Sequence, residues 1–166
     1  MRELLGQIEI AVNSGLYYLA LIASLSIPDI CGAIESTNGK ATKSKYKNWF
    51  NRYVAPKYHG RLTGEDCYYF RCSLLHQGSS QHPNSRYSRI FFVDPSVTRA
   101  VHHCNVVNEN ILNLDVRIFC NDIIYGALDW LRQYEGTDLF RKNYDKFMKR
   151  HPQGLTLYVS SFQIIG

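Results

Sequence analysis

Thr63-Gly64-Glu65-Asp66-Cys67-Tyr68-Tyr69-Phe70-Arg71-Cys72-Ser73-Leu74-Leu75-His76-Gln77-Gly78 reads as a helix with both of its ends written in. Thr63 and Asp66 have the spacing of a reciprocal N-terminal cap, and Cys67, Phe70 and Leu74 recur on one helical face. Gly78 is the expected stop. Near that stop stand Arg71 and His76 with four residues between them. Arginine is a permanently charged, fork-shaped phosphate binder, and histidine is the side chain best suited to move protons near neutral pH. Together they point to phosphodiester chemistry.

On the N-terminal side, Leu4, Ile8, Val12, Leu16 and Leu19 follow helical spacing, which predicts a first helix from Arg2 to about Leu25. The run from Gly15 to Ile27 is apolar nearly all round. It is shorter than the ~20 residues a bilayer requires, and Arg2 is the only basic side chain ahead of it, so a core helix is expected rather than a membrane span or signal peptide. Ser26 and Asp29 have cap spacing with Pro28 tolerated in a first turn, which predicts a short second helix over about 27–37, closed by Asn38-Gly39. Tyr46, Trp49, Phe50 and Tyr53 form an aromatic stripe up to Pro56. It reads as core, with Lys40, Lys43, Lys45 and Lys47 as a solvated face.

On the C-terminal side, residues 79–85 are loop by composition. Ser88 to Val93 and Val101 to Val107 are strand-like, which predicts a β-hairpin insertion within about 88–108. Asn113 is the expected cap of a long helix through Val116, Phe119, Ile123, Ala127, Trp130 and Leu131. Thr137 is the expected cap of a last helix ending at His151-Pro152, after which the apolar tail from Leu155 to Gly166 is expected to dock. The fold class is therefore mainly α, with about six helices and a small β insertion in a single domain over 1–166.

Composition limits the function classes. Across 166 residues, 45% apolar and 20% charged is ordinary for a globular chain with one buried core. The net charge of +5 favours an anionic partner such as RNA. Cys31, Cys67, Cys72, Cys104 and Cys120 make no Cys-x-x-Cys pair and are odd in number, which fits reduced thiols in a cytoplasm better than disulfides. A looser zinc set would join Cys67, Cys72 and His76 with His102, His103 and Cys104, but buried cysteine more commonly packs as a small hydrophobe. No metal and no cofactor is expected.

The arginine-to-histidine spacing alone decides little, because Arg52 and His59 also stand close in sequence. That second pair straddles Pro56 and shares no rigid element. Five helical residues place Arg71 and His76 about 140° and about 7.5 Å apart, so one chain does not make a compact pair. Two chains meeting through this helix about a two-fold axis would line one cleft with two arginines and two histidines. His76 near a helix C-terminus is favoured as imidazolium by the helix dipole and suits an acid. It also suits a base that takes the proton of a ribose 2′-hydroxyl while Arg71 stabilises the phosphate oxygens. The competing reading pairs Arg71 with a carboxylate and uses His76 to cap helix carbonyls.

Arg71-Cys72-Ser73-Leu74-Leu75-His76, before a glycine at a helix end, resembles the arginine, four to six residues, histidine motif of the HEPN superfamily of helical proteins. The stretch from Gly15-Leu16-Tyr17-Tyr18 through His76-Gln77-Gly78 is similar to small bacterial members. The resemblance implies a helical bundle and a homodimer with both motifs in a shared cleft. It further implies metal-independent RNA cleavage that leaves a 2′,3′-cyclic phosphate, with Arg71 and His76 as catalytic residues. Toxin and defence systems, with an antitoxin or other protein partner, are its usual settings. The family often has Asn, Asp or His after the arginine, where this chain has Cys72, a poorer hydrogen-bonding group. Cys72 and Ser73 are the supporting candidates. A noncatalytic HEPN-like module binding RNA, a nucleotide or a protein is the alternative. His102 and His103, in a strand-like run, point to opposite faces, so at most one joins a site.

Overall fold

A computed structural model describes residues 1–96, 102–155, 159–160 and 162–166, with the side chains of Glu109, Val159 and Ser160 left aside. The helices are α1 (Arg2–Asn13), α2 (Tyr17–Ile34), α3 (Lys43–Tyr53), α4 (Gly64–Gln77), α5 (Val116–Tyr134) and α6 (Asp138–Tyr144). The mainly helical reading holds, while several boundaries move.

The expected first helix is two. Gly15 adopts a left-handed φ of 71°, and the chain turns through Leu16, whose N–H reaches back to the Ala11 carbonyl. Glycine takes that conformation without the Cβ penalty other residues meet, so a local break overrides the continuous apolar period. The expected second helix does not start at Ser26. Helix α2 runs straight through Pro28, and the Ser26 hydroxyl donates back to the Ile22 carbonyl instead of capping. Proline removes one backbone hydrogen bond, at about 3 kcal/mol in a helix interior. Burial of Leu21, Leu25, Ile27, Pro28, Cys31 and Ile34 offsets that loss, since each large apolar side chain contributes about 1.5–3 kcal/mol. By length and composition α2 would cross a membrane, yet half of it lies inside the fold, packed on α1, α3, α4, α5 and α6.

The aromatic stripe on α3 is core. Tyr46, Trp49 and Phe50 are buried, Tyr53 half-buried, and Thr42 caps the helix by accepting from the Lys45 N–H. On α5 the expected apolar face is buried along its length, and Trp130 donates to Glu35 at the end of α2. Burial pushes the Glu35 carboxyl above its ordinary value, against the pull of that hydrogen bond.

The β region differs from a hairpin. Strands β1 (Arg89–Val93) and β2 (Asn105–Val107) do not pair with each other. Both pair with β3 (Ile111–Asp115), in the order β1-β3-β2, parallel for β1 and antiparallel for β2. Residues 97–101, including the expected strand start at Val101, lie outside the described residues. Leu112 and Leu114 alternate into the core with period two, so the segment around the expected cap Asn113 is a strand. Asp115 is the cap of α5 in place of Asn113, accepting from the N–H groups of Arg117 and Ile118.

Thr137 does cap α6, but the helix ends at Tyr144 rather than at His151. Beyond it, β4 (Arg150–His151) pairs with β7 (Ile164–Ile165), and β5 (Gly154–Leu155) pairs with β6 (Val159–Ser160). Lys149 and Gly166 exchange backbone hydrogen bonds, so tertiary pairing takes the groups a longer helix would have used. The tail is tied down by this ladder while Phe162 and Ile165 stay exposed.

Candidate functional site on the α2–α4 face

Helix α4 is held at both ends by what its sequence encodes. The Thr63 hydroxyl accepts from the Asp66 N–H, and the Asp66 carboxylate accepts the Thr63 N–H at 2.8 Å and the Thr63 hydroxyl at 2.6 Å. Asp66 is 4% exposed and also pairs with Arg86 at 2.9 Å. Gly64 lets the start of α4 press on α3, because a Cβ there would lie 2.4 Å from the Lys47 carbonyl oxygen. At the other end Gly78 has a φ of 63°, and the N–H groups of Gly78 and Ser79 close on the Leu74 and Ser73 carbonyls.

Between these ends, Cys67, Phe70 and Ser73 are buried, Tyr68, Arg71, Cys72 and Leu75 are half-buried, and His76 is exposed. The outer stripe of α2 is Leu19, Ile22, Ser26 and Asp29, at i, i+3, i+7 and i+10. The two helices run antiparallel. Asp29, late in α2, meets Arg71, while Tyr18 and Leu21, early in α2, share a groove with Leu74 and Gly78 at the end of α4.

Arg71 Nη2 lies 2.6 Å from the Asp29 carboxylate, with both side chains about one-fifth exposed. Its Nη1 is 3.8 Å from the Cys72 sulfur, and its Nε is buried without a hydrogen bond among the described residues. Burial pushes the Asp29 carboxyl above its ordinary value, although the Arg71 charge pulls the other way. For Arg71, burial works against the charge, and Asp29 and Cys72 outweigh it, so the guanidinium is held more firmly protonated than usual. The result is a fixed cation at the surface, its two Nη groups turned to Asp29 and Cys72.

His76 is exposed and makes no hydrogen bond or ion pair among the described residues. No such contact joins it to Arg71. A single chain therefore carries the two candidates on one helix without closing them into one pocket. Cys72, half-buried beside Arg71, stands at the site, whereas Ser73 is 1% exposed and its hydroxyl has no partner among the described residues. Asp29 is the residue that sequence reasoning missed. An acid within an otherwise apolar helix needs a cation, and that need was the available signal.

The remaining candidates sit apart. Arg52 donates to Gln133 at 2.8 Å, and His59 follows a 3-10 turn over Ala55–Tyr58 with a left-handed φ of 49°, so they share no rigid element. Lys43 and Lys47 pair with Glu65 at 3.3 and 3.0 Å. His103 is half-buried, lies with its ring tilted against Tyr58 at 5.3 Å and accepts the Asp115 N–H at 3.2 Å, and burial lowers its pKa, while His102 is exposed. Cys67 shares a hydrogen bond with Tyr46 in the core. Among the described residues no three His, Cys, Asp or Glu side chains converge as a metal would require.

Comparison with protein-family models, with curated proteins and with solved structures finds no match, so the assignment rests on the α2–α4 face itself.

Proposed function

We propose that this protein is a metal-independent endoribonuclease of the HEPN type that acts in the cytoplasm as a homodimer, in the setting of a toxin or defence system with an antitoxin or another protein as partner. The observation that carries this reading is the company Arg71 keeps. It is fixed by Asp29 at the surface with His76 exposed on the same helix, and Leu19 and Ile22, on the stripe of α2 that carries Asp29, are 61% and 40% exposed. A second copy laid on this face covers those apolar side chains and brings two Arg71/His76 sets together. In that cleft Arg71 stabilises the non-bridging oxygens of a phosphodiester. One His76 takes the 2′-hydroxyl proton, and the other protonates the leaving 5′-oxygen. Cys72 lies beside the guanidinium, and Ser73 has no part because it faces the core.

The test is RNA cleavage in EDTA by the wild type, Arg71→Ala and His76→Ala. Loss of activity in both variants and a 2′,3′-cyclic phosphate end on the product support the site. Equal activity in all three sinks it.

A second reading has one observation in its favour. The Asp29 carboxylate already neutralises Arg71, as in an ion pair whose task is to join α4 to α2. On that reading the face is a noncatalytic HEPN-like module that binds RNA, a nucleotide or a protein. The wild type is then inert towards RNA and binds it with salt-sensitive affinity.

A further inference from the structure

A groove of about 550 Å³ lies at the far end of the α2–α4 face, between the start of α2, the last turn of α4 and β1. Its floor is Phe70 and Phe92, whose rings lie 5.3 Å apart, with Phe92 packed in turn on Phe119 at 5.1 Å. Its rim carries the aromatic rings of Tyr18 and Phe91, 81% and 40% exposed, with the Arg89 guanidinium 5.9 Å from the Phe91 ring centre. Asp94, just past β1, is the acidic side chain on the lining among the described residues. One of its oxygens accepts the Ser96 N–H at 2.8 Å and the Ser96 side chain bonds the carboxylate as well, which fixes its orientation, while an ionised carboxylate with about four lone-pair sites keeps acceptor capacity for a further N–H. Hydrogen bonds from Ser96 hold Asp94 below the usual carboxylate range, so it is an acceptor at neutral pH. Leu74 and Gly78 also line the groove, and His76 lies between them in sequence.

Resting on the ribonuclease reading, we infer that this groove holds one base of the RNA strand, and that the base is guanine. Single-stranded RNA is read by splaying a base onto aromatic rings and hydrogen-bonding its edge. A carboxylate only accepts, so it selects an edge with two adjacent N–H donors. Among the four RNA bases that edge is the N1–H and exocyclic amine of guanine. Adenine, cytosine and uracil each turn an acceptor towards it. The groove's volume of about 550 Å³ accommodates a purine, and the Asp94 carboxylate on its lining is complementary to base N–H groups rather than to phosphate. Leu74 and Gly78 put the groove at the same last turn of α4 that bears His76, so the strand bound at this turn presents the guanosine.

The test measures binding without cleavage. Short single-stranded oligonucleotides that are 2′-deoxy throughout, differing only in G, A, C or U at one position, are titrated by fluorescence anisotropy into wild type, Asp94→Asn and His76→Ala. The expected result is roughly tenfold tighter binding of the G oligonucleotide, as for one well-formed two-point base contact, retained in His76→Ala and lost in Asp94→Asn. Equal affinity for the four oligonucleotides, no binding of any of them, or a G preference that survives Asp94→Asn overturns the proposal. Unchanged circular dichroism of Asp94→Asn confirms that an exposed side chain was altered in a folded protein. A G preference in a protein that cuts no RNA would keep the groove and remove the nuclease.

Discussion

The Asp29 carboxylate on α2 and the Arg71 guanidinium on α4 meet at 2.6 Å, and the contact fixes the helix bearing the candidate site to the helix at the centre of the fold. Asp29→Ala leaves a partly buried guanidinium without its counter-charge, and such losses lie between an exposed pair and a fully buried one. The expected loss is about 1–2 kcal/mol, read as a lower urea midpoint. Asp29→Asn keeps the shape and frees Arg71 to move. If Arg71 acts on phosphate, RNA cleavage falls at least about tenfold in Asp29→Asn while the circular dichroism spectrum stays unchanged. Activity equal to wild type removes Asp29 as a positioning residue.

His103 gives the fold a pH dependence with a definite sign. Burial lowers its folded-state pKa below the ordinary 6.5, and its Nδ1 accepts the Asp115 N–H. The unfolded chain therefore binds the proton more readily, so this contribution is present above about 6.5 and is lost as pH falls through and below that value. Urea midpoints measured from pH 7.5 to 5.5 are expected to drop, with a smaller drop for His103→Asn, which keeps an acceptor but does not titrate. Identical slopes in the two proteins count against a role for His103.

The α3–α4 contact has no room at Gly64. A Cβ there would meet the Lys47 carbonyl oxygen at 2.4 Å and its Cα at 2.8 Å, both backbone atoms. Gly64→Ala is expected to destabilise by about 2–3 kcal/mol or more, because rigid helices must separate. Gly6, where a Cβ would meet nothing within 4 Å, serves as the control, with Gly6→Ala neutral or stabilising by up to about 1 kcal/mol. Thermal melts of the two variants decide the matter.

The start of α4 rests on Asp66 more than on Thr63. Thr63→Ala removes one cap and is expected to lower stability by about 1 kcal/mol. Asp66→Ala also removes the acceptor of the Thr63 N–H and the counter-charge of Arg86, which keeps the Gly60 and Arg61 carbonyls, and about 2–3 kcal/mol is expected. Equal midpoints for the two variants would show that the Arg86 pair adds nothing.

Leu19 and Ile22 test the second chain. Leu19→Glu with Ile22→Glu puts charge on residues a monomer already exposes, so folding is expected to survive. Sedimentation velocity is expected to shift from dimer to monomer, with RNA cleavage lost alongside. A wild type that sediments as a monomer at tens of micromolar refutes the shared cleft.

Much of the helical plan was legible from local signals. Thr63 with Asp66, Thr137, Gly78 and the stripes of α3 and α5 behave as their sequence reads, because capping and apolar periodicity act over one or two turns. The failures share a cause. Asn113 reads as the cap of α5, and what makes Ile111 to Asp115 a strand instead is its pairing with β1 and β2, set by residues outside the segment. Ser26 and Asp29 look like a cap, but packing on five other helices carries α2 through Pro28.

The sequence by itself determined a mainly helical chain, the two ends of α4 and the presence of Arg71 and His76 on that helix, because each depends on neighbours within a few residues. Only the tertiary structure decided that Asp29 engages Arg71, that Ser73 is buried and that Tyr18, Phe91 and Asp94 share one groove with the end of α4. Those relationships join segments tens of residues apart, and they are set by which helix faces must leave water together rather than by any local pattern.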